Sequence, residues 1–278
     1  MKGEEGKGKI TRILVAVDAS PLSLKALEAA AELAASLQAE LLGLYIEDIN
    51  LLRIADSPFA REVGIFSGSI RELDAHRLER QLRAQANQVR RKLTQLAQRS
   101  QIRWSFRVTR GSIEAELLSA ASEVDLVILG RAGWSGKRQL GSTAQAMASQ
   151  APGPALLHAP RTAAKPAVLV LYDGSEVSQR ALTTAASLIQ PQDGFLTVAI
   201  IAGDHEEARR LQIEAALWLR AHDLQARYRW LFKVDEEQVK KLMSVEGECT
   251  LILPGSMLVR ESLVHLLHGL KCPVMVVH

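Results

Sequence analysis

Between Leu126 and Thr143 the chain sets an apolar run, a series of glycines and two hydroxyl residues in an order that suits anion binding. Leu126 to Leu129 ends at Gly130, Gly133, Gly136 and Gly141 follow, and Ser142 and Thr143 open a helical pattern. A strand that passes through glycines into a helix N-terminus leaves backbone N–H groups unpaired. It also keeps Cβ atoms out of a ligand's way, which is the chemistry of a phosphate site. Two familiar phosphate motifs do not fit. A P-loop needs Ser or Thr after its lysine, whereas Arg138 follows Lys137, and the dinucleotide fingerprint fails on glycine spacing. Glycines after a strand are also ordinary turn residues, so the loop gains weight only where other chemistry converges on it.

Asp18 supplies that convergence. Ile13 to Val17 is an unbroken branched run, as expected of a parallel strand covered on both faces. It stops at Asp18, Ala19, Ser20 and Pro21, and an alanine-rich helical pattern follows at Leu24, Leu27, Ala30, Ala31 and Ala34. Leu41 to Ile46 and Trp104 to Val108 read as the second and third strands. Ile113, Leu117, Leu118 and Ala121 mark a helix, Leu126 to Leu129 is the fourth strand and Ala155 to His158 the fifth. Alternating strands and helices predict an α/β fold with an open parallel sheet and right-handed crossovers. Its ligand lies beyond the carboxyl ends of the strands, where the winding direction reverses. With strands two and three on one side of strand one and strand four on the other, that reversal sets Asp18 beside Gly130.

The intervening segment divides in two. Asn50 to Ile70, with Pro58, Gly64 and Gly68, predicts a long loop holding at most a short helix. From Arg71 to Arg99 an amphipathic helix is expected, with Leu78, Leu82, Val89, Leu93 and Leu96 on one stripe and Arg77, Arg80, Arg83, Arg90 and Arg91 off it. Its basic face is either an ordinary solvated surface or a meeting place for acidic partners.

Composition narrows the classes. With 278 residues, 47% of them apolar, the chain can bury one large core or two ordinary ones. A net charge of +3, not gathered into a tail, argues against nucleic acid or an anionic membrane as partner. The opening MKGEEGKGK is too polar for a signal peptide, and no apolar run approaches membrane-spanning length. Cys249 and Cys272 are the only cysteines, which excludes a disulfide framework and suits a reducing cytoplasm. Each precedes a strand of one expected sheet, so they are candidate neighbours. His265 and His268 read as surface or packing residues rather than metal ligands.

After a small polar linker, Ala159 to Pro166, the pattern begins again. Val168 to Tyr172 followed by Asp173, Gly174 and Ser175 repeats Val17, Asp18, Ala19 and Ser20. Phe195 to Ile201, Tyr228 to Phe232, Leu251 to Leu253 and Pro273 to Val277 match strands two to five, and the helix Glu206 to Ala221 stands where the arginine-rich helix stood. Two domains are therefore expected, 1–160 and 161–278. In the second, Leu253, Pro254, Gly255 and Ser256 replace the whole glycine loop, so a phosphate site is expected only in the first.

These residues resemble the universal stress protein family in its tandem form. ILVAVDAS with its alanine-rich helix is similar to the family's first strand, and DLVILGRAG, GSTAQAM and APGPALL to its fourth strand, loop and last strand. The resemblance implies two five-stranded parallel, open twisted sheets flanked by helices, of the adenine-nucleotide alpha-hydrolase-like, Rossmann-like kind. It implies ATP or another adenine nucleotide as ligand, and pairing through last strands, as a homo-oligomer or as a pseudo-dimer within the chain. By position, Asp18 meets the adenine or ribose with Ala16 and Val17 beside it, and Tyr45 packs on the adenine. Leu129, Gly130, Ala132 and Gly133 line the ribose and phosphates, and Gly141, Ser142 and Thr143 donate to the phosphates. The interval Trp134 to Leu140 is two residues shorter than the family's. Trp134 and Lys137 read equally as ligand cover and as an exposed loop tip. No nucleophile turn or adenylating motif stands out, so a binding protein is expected rather than an enzyme. The alternative is a scaffold or dimerisation module that binds no nucleotide and acts through protein partners, with residues 50–99 as the partner surface.

Overall fold

A computed structural model of the chain describes residues 10–57, 59–63, 68, 70–131, 140–158, 167–189, 195–232, 234–259, 267, 270 and 272–278. The first half runs β1 (Arg12–Ala16), α1 (Pro21–Leu37), β2 (Glu40–Asp48), α2 (Ile49–Ala55), β3 (Arg61–Val63), β4 (Ile70–Glu72), α3 (Ala75–Ser100), β5 (Trp104–Gly111), α4 (Ile113–Ala121), β6 (Leu126–Gly130), α5 (Ser142–Gln150) and β7 (Ala155–His158). The second runs β8 (Ala167–Tyr172), α6 (Glu176–Leu188), β9 (Leu196–Ile201), α7 (His205–Ala221), β10 (Ala226–Leu231), α8 (Glu236–Glu246), β11 (Cys249–Pro254), a 3₁₀ turn (Gly255–Val259) and β12 (Val274–Val277).

Ten strands form one sheet in the order β10-β9-β8-β11-β12-β7-β6-β1-β2-β5. Each half contributes five parallel strands, and the halves meet where β12 pairs antiparallel with β7. The strands read as unbroken apolar runs because both faces are covered. Along β1 and into the turn, Ile13, Val15 and Val17 pack toward α1 and α3, whereas Leu14 packs toward α4 and α5. Along β8, Val168, Val170 and Tyr172 meet α6 and α7, whereas Leu169 and Leu171 face the α8 side. Both helical layers continue across the join. The expected pairing through last strands thus occurs inside the chain. Because β7 lies between β6 and β12, and β12 between β7 and β11, neither strand keeps an open edge for a second copy.

The segment expected as a long loop is more ordered than its sequence suggests. Asp48 caps α2 by accepting from Asn50 N–H at 2.9 Å, and β3 and β4 pair antiparallel, Val63 opposite Ile70. The expected helix from Arg71 begins at Ala75, because Asp74 caps it there by accepting from His76 and Arg77 N–H. α8 has no counterpart among the expected helices. Its sequence buries only Val239 and Leu242, too little apolar periodicity to stand out.

Two helices of the first half close on a non-glycine residue in the left-handed region, Gln38 at φ 55° after α1 and Gln101 at φ 52° after α3. A side chain there costs strain that glycine avoids. Gln101→Gly is expected to stabilise the fold by about 0.5–1 kcal/mol, read as a higher urea midpoint with unchanged slope.

Candidate functional site

The first turn of each half is built in the same way. In the first, Asp18 Oδ1 accepts from Ser20 N–H at 3.0 Å, Ser20 Oγ accepts from Ser23 N–H at 3.2 Å, and Ser23 Oγ donates to Ser20 C=O at 3.0 Å. In the second, Asp173, Ser175 and Ser178 make the same three bonds at 3.0, 3.2 and 2.9 Å. Both turns need a left-handed residue after the aspartate, supplied by Ala19 at φ 61° and Gly174 at φ 79°. Burial raises the Asp173 pKa, but hydrogen bonds from Ser175 and Ser178 together outweigh it and hold the carboxyl below its usual range.

β1 has β2 on one side and β6 on the other, so the winding reverses between β1 and β6. A cleft of about 340 Å³ opens there, beyond the carboxyl ends of the strands. Ala16, Val17, Asp18, Leu129, Gly130, Gly141, Ser142 and Thr143, all expected from the sequence, line it together. β6 ends at Gly130 against the start of α1: a Cβ there would stand 3.4 Å from Ser23 N and 3.5 Å from the Leu22 carbonyl group, which is ordinary contact. Ala132 and Gly133, with Trp134 and Lys137, lie outside the described residues, as do His265 and His268.

The lining of the cleft has two unlike parts. One is made by Leu44 and Ile46 of β2 and by Ile113 and Leu117 of α4, all apolar. In the other, Gly141 N–H donates to the Arg131 carbonyl at 2.9 Å, and α5 starts from Gly141 with no side-chain cap. α1 and α6, by contrast, are capped by Ser20 and Ser175. The first N–H groups of α5 thus have no side-chain acceptor at their cap, and the helix dipole adds partial positive charge there.

Tyr45 is not in the cleft. Strand residues alternate between faces, and Tyr45 packs on the α1 and α3 side, its hydroxyl donating to Gln85 Oε1 at 2.9 Å. Burial, followed by the charges of Glu47 and Asp18, pushes its phenol up to about 12. The cleft wall belongs to its neighbours Leu44 and Ile46, a shift by one residue that the period-2 alternation of β2 could have revealed. Ile113, Leu117 and Arg131 were also not among the expected site residues.

In the second half Pro254 leads straight into the 3₁₀ turn. The space above Gly255 holds the His278 ring, whose Nδ1 would lie 2.4 Å from a Cβ there, and His278 Nε2 is 3.1 Å from the Ala148 carbonyl at the end of α5. Cys249 opens β11 and Cys272 stands just before β12, strands that pair directly. Among the described residues there is no cluster of metal-ligating side chains, and no helix is long and apolar enough to cross a membrane.

The model of the universal stress protein family matches residues 9–158. A universal stress protein from Archaeoglobus fulgidus DSM 4304 is similar in structure over 96% of this chain and 97% of its own, with TM-score 0.72 and 16% identity. A putative universal stress protein from Pseudomonas aeruginosa UCBPP-PA14 is similar over 98% of this chain and 94% of its own, with TM-score 0.57 and 17% identity. At such identities the likeness speaks for the fold. No curated protein matches the chain in sequence. With the family model spanning more than half of its 278 residues, the chain belongs to the universal stress protein family.

Proposed function

We propose that the first half, as a domain of residues 1–160, binds ATP or a related adenine nucleotide and that the protein uses this occupancy as a stress-response signal. One observation carries the reading: a single cleft of about 340 Å³ is lined both by apolar side chains of β2 and α4, suited to a heterocyclic base, and by the start of α5, whose cap makes no side-chain hydrogen bond and suits phosphate. In this reading Leu44, Ile46, Ile113 and Leu117 enclose the base, and Asp18 accepts from the ribose hydroxyls. Ala16, Val17, Leu129 and Gly130 form the floor. By family position Ala132 and Gly133 line the phosphates, and Ser142 and Thr143 at the start of α5 add backbone N–H groups and hydroxyls, while Gly141 N–H is held by the Arg131 carbonyl. The second domain, 161–278, keeps the aspartate turn without the loop and binds no nucleotide. The role is binding, not turnover.

Mass spectrometry of small molecules released from the purified protein, followed by calorimetric titration of ATP, ADP and AMP, tests this. About one nucleotide per chain is expected, with affinity lowered about tenfold or more in Asp18→Asn, which keeps the turn's acceptor but loses the charge on the ribose contact. If no nucleotide is carried and none titrates, the reading fails.

A second reading, docking of a protein partner on residues 50–99, is favoured by exposed apolar side chains. Ile54 is 56% exposed, Phe59 88%, and the cross-strand pair Val63 and Ile70 63% each.

A further inference from the structure

Arg131 stands where β6 leaves the sheet, and it lines the cleft beside Gly141. Its guanidinium nevertheless reaches into the second half. Nη1 donates to the carbonyls of Leu270 and, at 3.5 Å, Cys272, and Nη2 donates to the carbonyl of Leu267. These acceptors precede β12, the strand that joins the halves. All three are neutral, and among the described residues no carboxylate forms an ion pair with Arg131. Burial lowers its pKa, consistent with a partly desolvated cation. A guanidinium has five N–H donors, so three carbonyl contacts leave donors to spare. Among the described residues no carboxylate balances this charge, and an anion in the cleft is a group that would.

We propose that Arg131 makes the cleft select phosphorylated ligands over neutral ones, and that the second half serves the site by holding this guanidinium in place through the Leu267, Leu270 and Cys272 carbonyls. The proposal rests on the nucleotide reading above and adds a division of labour to it. The first half provides the cleft, and the half without a phosphate loop positions its cation. Lysine cannot replace it fully, because a compact ammonium cannot span three carbonyls and face an anion as a planar fork can.

The test is calorimetric titration of ATP and adenosine into the full chain, wild type, Arg131→Met and Arg131→Lys, with circular dichroism to verify folding. Wild type is expected to prefer ATP. Arg131→Met should lose about 10- to 100-fold in ATP affinity while adenosine binds within about twofold of wild type, and Arg131→Lys should fall between. Equal losses for ATP and adenosine would make Arg131 a purely structural clamp and overturn the proposal, as would unchanged ATP affinity. A wild-type protein that binds neither ligand overturns the nucleotide reading itself, and this proposal with it.

Discussion

Val276→Asp is expected to break the protein at the join between its halves. Val276 is fully buried on β12, opposite Leu253 of β11 on one side and Ala155 of β7 on the other. The substitution forfeits about 1.5–3 kcal/mol of side-chain burial. It also buries a carboxylate where the surrounding cluster is apolar, at a cost of several more kcal/mol. A total loss above about 5 kcal/mol approaches the whole stability of an ordinary domain. Losing β12 would also uncover the edge of β7, which invites pairing with another chain. Urea denaturation and size-exclusion chromatography check this: the variant should lose its cooperative transition or associate, whereas Val276→Ile, which only adds one buried methylene, should stay folded at a cost of about 1–3 kcal/mol. A Val276→Asp protein with the wild-type midpoint and size would mean that the sheet does not depend on the β7–β12 pair.

Why the sheet was legible in the sequence follows from the same burial. Ile13 to Val17 and Val168 to Tyr172 stand out as strands because helices cover both faces, so no polar residue interrupts them. The repeat of Asp18-Ala19-Ser20 in Asp173-Gly174-Ser175 was readable because each turn needs an aspartate acceptor and a serine cap at fixed spacing. With β6 beside β1, the turns that follow the two strands bring Asp18 and Gly130 together. Elements whose signal is shorter than one period were not legible. α2 spans seven residues and β3 and β4 three each, too few for apolar spacing to repeat. Tyr45 lies off the cleft for a different reason: strand residues alternate between faces, and its neighbours Leu44 and Ile46 hold the cleft side of β2. Arg131 could not be found at all, because its partners are backbone carbonyls 136 to 141 residues away, and a carbonyl leaves no trace in sequence.

The matched turns also allow one substitution to be read against another. Gly174→Val should cost about 2–5 kcal/mol, whereas Ala19→Gly, its counterpart in the first half, should change stability by less than about 1 kcal/mol. At Gly174 two penalties add. A β-branched residue at φ 79° is strained by about 1–2 kcal/mol. Its Cβ would also lie 2.4 Å from Leu211 Cδ2, and Leu211 is 1% exposed in the core of α7, with little room to withdraw. At Ala19 the left-handed strain is already present at φ 61°, and a buried methyl is already accommodated. Glycine there relieves strain but frees the unfolded chain, two effects of similar size and opposite sign. Thermal and urea unfolding of both variants provides the comparison. A loss below 1 kcal/mol in Gly174→Val would show that Leu211 yields. A large loss in Ala19→Gly would show that the Ala19 methyl itself holds the turn carrying Asp18, so that the alanine is a packing residue of the candidate site and not merely a tolerated replacement for glycine.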